Sequence, residues 1–555
     1  MVRPTRFTEA MFQEYISKGM WTDETTPKIW ERNVKLFPEK EAFVDRGRRL
    51  TWPRIRTMSD RLAVNLIDLG LKRDDFVYLL LPNWVESYIF RCAAEKAGIL
   101  VGTSLMTVGE ADIGFILKTF DAAGIVIPLE FRKKNYLDLI RDMLIRPGFP
   151  KLRQIFIAGG NVPPEALSLE QLMMEPANAD YGAEYFQGTG YGPTDVSVIG
   201  FTSGTTGTPK GAEHIIASRI AMAKGYGEGP QIRETDVVLN IISPVAGLSS
   251  AFCYNGTASL VGAKVVLSDI WSPERTFELI ENENVTILLA VPAQLAQILR
   301  HPDRENHDLG SLRCIVTSTA PLSRALARDL EESFKVPVVN LYGQIDGGFI
   351  SCPSIDDPPE VRQKTVGRPH KYTTVRIIDE AGGDVPPGVE GELVYTGPSC
   401  TGGYFKNMQE TLKAWGTLGP EGMRRSGDLV EMDENGRLVL LGRKDDMIIR
   451  GGSNIYPAEL ESLLITHPKI KAVAVVPMPD PVMGETVCAY AQVSPGEELT
   501  FEEVIAFLKN KKIATYKLPE RLEVRESLPL KGAQKIGKAS LKKEIVEILK
   551  KEGSL

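Results

Sequence analysis

Several protein classes are excluded by what the chain lacks. Its six cysteines, Cys92, Cys253, Cys314, Cys352, Cys400 and Cys488, are scattered over 555 residues without a CxxC pair. That spacing supports neither a disulfide framework nor a structural zinc site. No uninterrupted apolar run approaches the roughly 20 residues that a membrane-spanning helix needs. Positive charge is not in excess: 65 Lys and Arg stand against 72 Asp and Glu, a net charge of −7. No global field therefore draws in nucleic acid. The N-terminal residues 1–6 are not followed by an apolar segment, so a signal peptide is not expected and a cytoplasmic location is. Repeats and low-complexity tracts are absent, and the oligomeric state is open, a homo-oligomer included.

What is present is the balance of an ordinary globular protein, 43% hydrophobic and 25% charged. The length is too great for one hydrophobic core and implies two or more domains. Residues 56–69 and 87–97 carry apolar side chains at helical spacing. Residues 76–81 and 123–127 are short apolar runs bounded by turn residues, as expected of buried strands. Such alternation predicts an α/β fold with parallel sheets covered on both faces. Residues 178–194 lose periodicity and read as a surface connection. Beyond position 445, strands over 472–476 and 487–493 and a helix over 501–509 predict a small α/β unit of ordinary domain size. The expected division is a large domain, 1–444, and a small C-terminal domain, 445–555. The basic stretch 531–551 alternates with Glu and apolar residues and reads as a solvated helix face.

The most informative segment is Thr202-Ser203-Gly204-Thr205-Thr206-Gly207-Thr208-Pro209-Lys210-Gly211, directly after an apolar strand. Glycines let backbone N–H groups approach an anion, hydroxyls add donors and Lys210 adds a compact positive charge. Such a loop suits a polyphosphate. It is not a P-loop of the GxxxxGK[ST] type, because Pro209 precedes the lysine and Gly211 follows it.

In its length and order this segment resembles the signature loop of the adenylate-forming superfamily: acyl-CoA synthetases, adenylation domains and luciferases. Later motifs follow in the same order: Tyr342-Gly343-Gln344-Ile345-Asp346, Ser426-Gly427-Asp428, Gly442-Arg443-Lys444-Asp445-Asp446, and the glycine-rich run Arg450 to Glu459. The resemblance implies a large N-terminal domain of parallel-sheet α/β subdomains and a small mobile α/β C-terminal domain. It also implies ATP, Mg²⁺ and coenzyme A acting on a small-molecule carboxylic acid, through an acyl-adenylate. Thr202, Ser203, Gly204, Thr205, Thr206, Gly207 and Lys210 would hold phosphates. Tyr342 would stack on adenine beside Gly343 and Gln344, Asp428 would bind the ribose hydroxyls, and Arg443 would also reach the ribose. Asp346 stands where a glutamate usually meets Mg²⁺, and Ile345 replaces a threonine. Asp445 would be the hinge, and Gly451 and Gly452 would line a thiol tunnel.

Two lysines compete for the catalytic place near the C-terminus. Lys538 follows Gly537. Lys535 fits the longer register of Pro529, Ile536, Lys538 and Leu541, with Gln534 in place of a glycine, and is the choice here. The acyl pocket is read from Val245, Ala246 and Gly247, where related aryl-acid enzymes carry a His-Asn-aromatic stretch. Its absence implies an aromatic, alicyclic or branched acid lacking catechol hydroxyls. Two other readings stay open: an aryl-acid adenylase that loads a carrier protein, and a silent nucleotide-binding protein.

Overall fold

Segments of two to eight residues, most of them apolar, pair into two seven-stranded sheets, each parallel apart from one edge hairpin. The computed structural model describes residues 3–144, 151–175, 183–186, 188–203, 209–244, 250–254, 256–419, 421–451, 453–494, 496–531 and 535–553. One sheet runs, in spatial order, through Val338–Asn340, Cys314–Thr317, Ile287–Leu289, Val237–Asn240, Lys264–Leu267, Glu41–Asp45 and Arg48–Thr51. The other runs through Pro209–Ile215, Val196–Ser203, Leu100–Thr103, Phe76–Leu79, Gly124–Pro128, Gln154–Ala158 and Leu167–Ser168. The parallel sheets expected from the alternation are present.

Helix Val85–Ala97 shows why helices cover these sheets: all of its residues are buried, charged ones included. Burial of charge demands pairing. Glu86 meets Arg46 at 2.6 Å and Arg48 at 2.7 Å, and Lys96 meets Asp60. Gly98 ends the helix at φ +71°, a left-handed conformation that glycine adopts without penalty. The stretch expected to be a surface connection docks here, with Tyr191 buried and its amide donating to Glu95 O.

Between the parallel sheets and the last strands lies a module of which the sequence signals only the hairpin-like turn Asp433-Glu434-Asn435-Gly436-Arg437 between two apolar segments. Thr374–Ile378, Gly391–Thr396, Arg424–Met432 and Leu438–Arg443 form an antiparallel sheet, and Tyr342–Gln344, Gly348–Cys352 and Arg368–Pro369 form a smaller one. Their shared core contains Tyr342, Leu393, Tyr395, Tyr404, Trp415 and Val430.

Among the described residues, the strands that follow residue 445 pair only with one another. Ser453–Ile455, Ile448–Arg450, Gly484–Val493 and Ile470–Asp480 are antiparallel neighbours, and Arg521–Arg525 adds in parallel to Gly484–Val493. Helix Phe501–Asn510 carries the capping box Thr500/Glu503. The basic stretch becomes helix Lys538–Lys551, with Leu541, Ile545 and Leu549 turned inward. No helix among the described residues is long and apolar enough to cross a membrane.

Candidate active site

The signature loop is the tip of a hairpin. Strands Val196–Ser203 and Pro209–Ile215 pair antiparallel with Ser203 opposite Pro209 and Thr202 opposite Lys210. Gly204, Thr205, Thr206 and Gly207 lie outside the described residues, as do Val245, Ala246, Gly247 and Gly452. Lys210 stands at the hairpin mouth, where its ammonium pairs with Glu410 and lies 5.5 Å from the centre of the Tyr404 ring.

Four of the sequence-predicted residues meet at one carboxylate. The Tyr342 hydroxyl donates to Asp428 Oδ2 at 2.7 Å and Gln344 Nε2 donates to the same oxygen at 3.0 Å. Arg443 Nη1 donates to Asp428 Oδ1 at 2.8 Å. Gln344 and Arg443 also both donate to Ser426 O at 2.8 Å. The local fold dictates this convergence. Asp428 and Arg443 are register partners in the hairpin that turns through residues 433–437. Gly427 has φ +69°, and a Cβ there would lie 2.8 Å from Arg443 Nη2, so the turn needs glycine. At Gly343 a Cβ would lie 2.6 Å from Gly348 O. Burial first, then the Asp428 charge, holds the Tyr342 hydroxyl well above its ordinary range, so it stays a donor. Tyr395, absent from the sequence reading, fixes Gln344 by donating to its Oε1 at 3.1 Å.

Asp346 is the second anionic centre. Its Oδ2 accepts from the Tyr404 hydroxyl and from Arg424 Nη2, the latter at 2.9 Å, and Thr401 Oγ1 holds its carbonyl at 2.7 Å. Burial opposes its ionisation. The Arg424 charge, the Tyr404 hydrogen bond and the residue's own backbone amide outweigh that and hold the carboxyl below its ordinary 3.8. Both side-chain donors found among the described residues converge on Oδ2. Among the described residues no group of three or more His, Cys, Asp or Glu could hold a metal ion. One carboxylate with substrate phosphates and water suits Mg²⁺, which does not need a protein cage.

The C-terminal candidates stand on different elements. Lys535 lies on a two-residue strand opposite Lys531, in a hairpin closed by Gly537 N donating to Pro529 O at 2.7 Å. Lys538 opens the last helix and is committed elsewhere: its ammonium lies 2.7 Å from Glu461 and 3.7 Å from Asp446. Asp445 is exposed, in a one-turn 3₁₀ segment, Lys444–Asp446, between strands Leu438–Arg443 and Ile448–Arg450. Gly451 has φ +54°, and its amide donates to Met483 O at 2.9 Å. Arg424, Tyr404, Thr401 and Glu410 were missed. Only Arg424, beside Ser426-Gly427-Asp428, had a nearby motif to mark it.

Comparison with known proteins gives a consistent picture. The family model described as AMP-binding enzyme matches residues 30–405, and that of its C-terminal domain matches residues 459–535. The chain is 30% identical over 547 residues to the medium-chain fatty-acid–CoA ligase of Escherichia coli K12, covering 98% of this chain and 94% of that one. It is 29% identical to the 2,3-dihydroxybenzoate-AMP ligase of Bacillus subtilis 168, covering 98% of each. A solved structure of the anthranilate CoA ligase AuaEII, in complex with anthranoyl-AMP, superposes with a TM-score of 0.84. It covers 95% of this chain and 98% of that one; at 23% identity this likeness shows the fold alone.

Proposed function

The chain belongs to the AMP-binding enzymes, and on that premise we propose that it is an acid–thiol ligase that couples ATP cleavage to coenzyme A thioester formation. The acid's carboxylate oxygen attacks the α-phosphorus of ATP, the bond to the bridging oxygen breaks, and pyrophosphate leaves with its electron pair. The coenzyme A sulfur then attacks the acyl carbon, loses its proton, and AMP departs with the carbonyl–oxygen bond. No enzyme nucleophile is required, so the protein contributes positioning and charge stabilisation.

The observation that carries this reading is the convergence of Tyr342, Gln344 and Arg443 on Asp428. A carboxylate so oriented offers two oxygens to a ribose diol. Lys210 at the hairpin mouth supplies positive charge toward a polyphosphate, once freed from Glu410. Asp346 would hold Mg²⁺, which when bound offsets phosphate charge. The ion pairs of Lys538 support Lys535 as the lysine that meets the developing charge at the α-phosphate. The exposed turn at Asp445 supports a hinge there, by which residues 445–555 would exchange Lys535 for the Gly451–Gly452 segment. Coenzyme A is favoured over a carrier protein by the coenzyme A ligases among the relatives. The acid is aromatic, alicyclic or branched.

A panel of acids in ATP–pyrophosphate exchange, then in acyl-CoA formation, tests this. Exchange with at least one aromatic, alicyclic or branched acid, and a coenzyme A product from it, are expected. No exchange across the panel sinks adenylation, and thioester on a carrier protein alone sinks the coenzyme A assignment. Lys535→Ala is expected to lower exchange by about 100-fold or more while sparing thioester formation from supplied adenylate. The same loss in Lys538→Ala instead would move the assignment.

A further inference from the structure

One buried titratable side chain beside this site has no part in the steps so far. His214 lies on the second strand of the signature hairpin, four residues after Lys210. It is 9% exposed, and neither ring nitrogen has a hydrogen-bond partner among the described residues. The other four histidines are engaged: His301, His307 and His370 with Glu274, Glu281 and Glu228, and His467 with the Lys469 amide. An imidazole without a protein partner keeps its N–H available to a ligand.

Gly200 fixes where the ring lies. A Cβ at Gly200 would stand 2.8 Å from His214 Nε2 and 3.5 Å from Ile345 Cγ2. Glycine thus makes room for the imidazole, which shares this spot with Ile345. Ile345 lies in sequence between Gln344, a ligand of Asp428, and Asp346, and it carries no polar atom on its side chain. The charged groups acting on His214 are Arg219, Arg91 and Asp346. Burial first, then the two arginines, holds the imidazole down to about 3, so at neutral pH it is uncharged with one N–H to donate.

We propose that His214 is a substrate-contacting residue whose ring N–H donates to the carboxylate being activated, holding it beside Ile345 for attack on the α-phosphorus. The inference rests on the adenylation reading. It assigns to the hairpin's second strand a role in binding the acid, in addition to the phosphate role of its first residues.

His214→Leu and His214→Asn test it in ATP–pyrophosphate exchange, with thermal melting to show that each variant folds. The leucine fills the space without a donor, and the asparagine keeps one. KM for the acid is expected to rise about tenfold or more in the leucine variant, and no more than roughly threefold in the asparagine variant, with KM for ATP unchanged in both. The effect should be the same for every acid accepted, because the carboxylate is common to all. A leucine variant with the parent's acid KM overturns the proposal, as does an equal rise in the KM for ATP. An effect confined to acids with one substituent would move the contact off the carboxylate and also overturn it. If the leucine variant does not fold, His214→Met against His214→Gln makes the same comparison. A parent inactive with every acid removes the adenylation reading and this inference with it, whereas an active parent with an indifferent His214 removes the inference alone.

Discussion

Replacing Asp346 by Asn should destabilise the protein measurably even though it removes only one charge. The Asp346 and Arg424 side chains retain 16% and 13% of their exposure, and the pair closes at 2.9 Å. Removing one member of a buried pair leaves the other uncompensated, at a cost of about 3–5 kcal/mol for full burial. The residual exposure lowers this to about 2–3 kcal/mol. Tyr404 loses its charged acceptor as well. Arg424→Met keeps most of the stem's packing, so the double variant should be less destabilised than Asp346→Asn alone, with a coupling of about 1.5–3 kcal/mol. Denaturant unfolding at neutral pH measures all four corners of this cycle. Asp346→Asn within about 0.5 kcal/mol of the parent, or a coupling near zero, would refute the buried-pair reasoning. The pH dependence gives a second check. The folded carboxyl titrates below the ordinary 3.8, so its stabilisation is complete above that value and is lost as pH falls through the folded pKa. The Asn variant should lack this acid limb.

Two further outcomes are expected. Asp428→Ala deprives Tyr342, Gln344 and Arg443 of a common acceptor, so KM for ATP should rise about 10- to 100-fold with little change for the acid; exchange at varied ATP checks this, and equal rises in both constants would contradict it. Glu213 is buried where it accepts from Thr5 N and Thr5 Oγ1, both at 2.7 Å, and burial pushes its carboxyl from 4.5 up to about 7. The folded state therefore keeps a proton that the unfolded chain has released, and stability should fall by about 3 kcal/mol as pH rises across that window. Glu213→Gln should flatten the profile and be the more stable form at pH ~8; unfolding midpoints on both sides of the window measure it, and a parent equally stable at both ends would refute it.

The sequence by itself determined what depends on neighbours along the chain. The phosphate-type loop, the Ser426-Gly427-Asp428 turn, the alternation of helices with apolar strands and the hairpin through residues 433–437 are local features. Each is set by glycine's access to positive φ or by periodicity, whereas Asp428 comes opposite Arg443 only through a register shift between Leu429 and Val430. Apart from that hairpin and the short motifs, the module of residues 342–443 was not legible, because its strands are short and several alternate weakly between buried and exposed positions. Tertiary structure alone chose the partners of the charged groups. Lys210 finds Glu410 200 residues away, and Asp346 finds Tyr404 and Arg424 at separations of 58 and 78. Many acids and bases compete for each such partnership, and only sheet pairing and burial decide which pair is brought out of water together. The same cause hid His214: an imidazole on a strand is unremarkable until Gly200 and Ile345 are folded beside it and no group among the described residues answers its nitrogens.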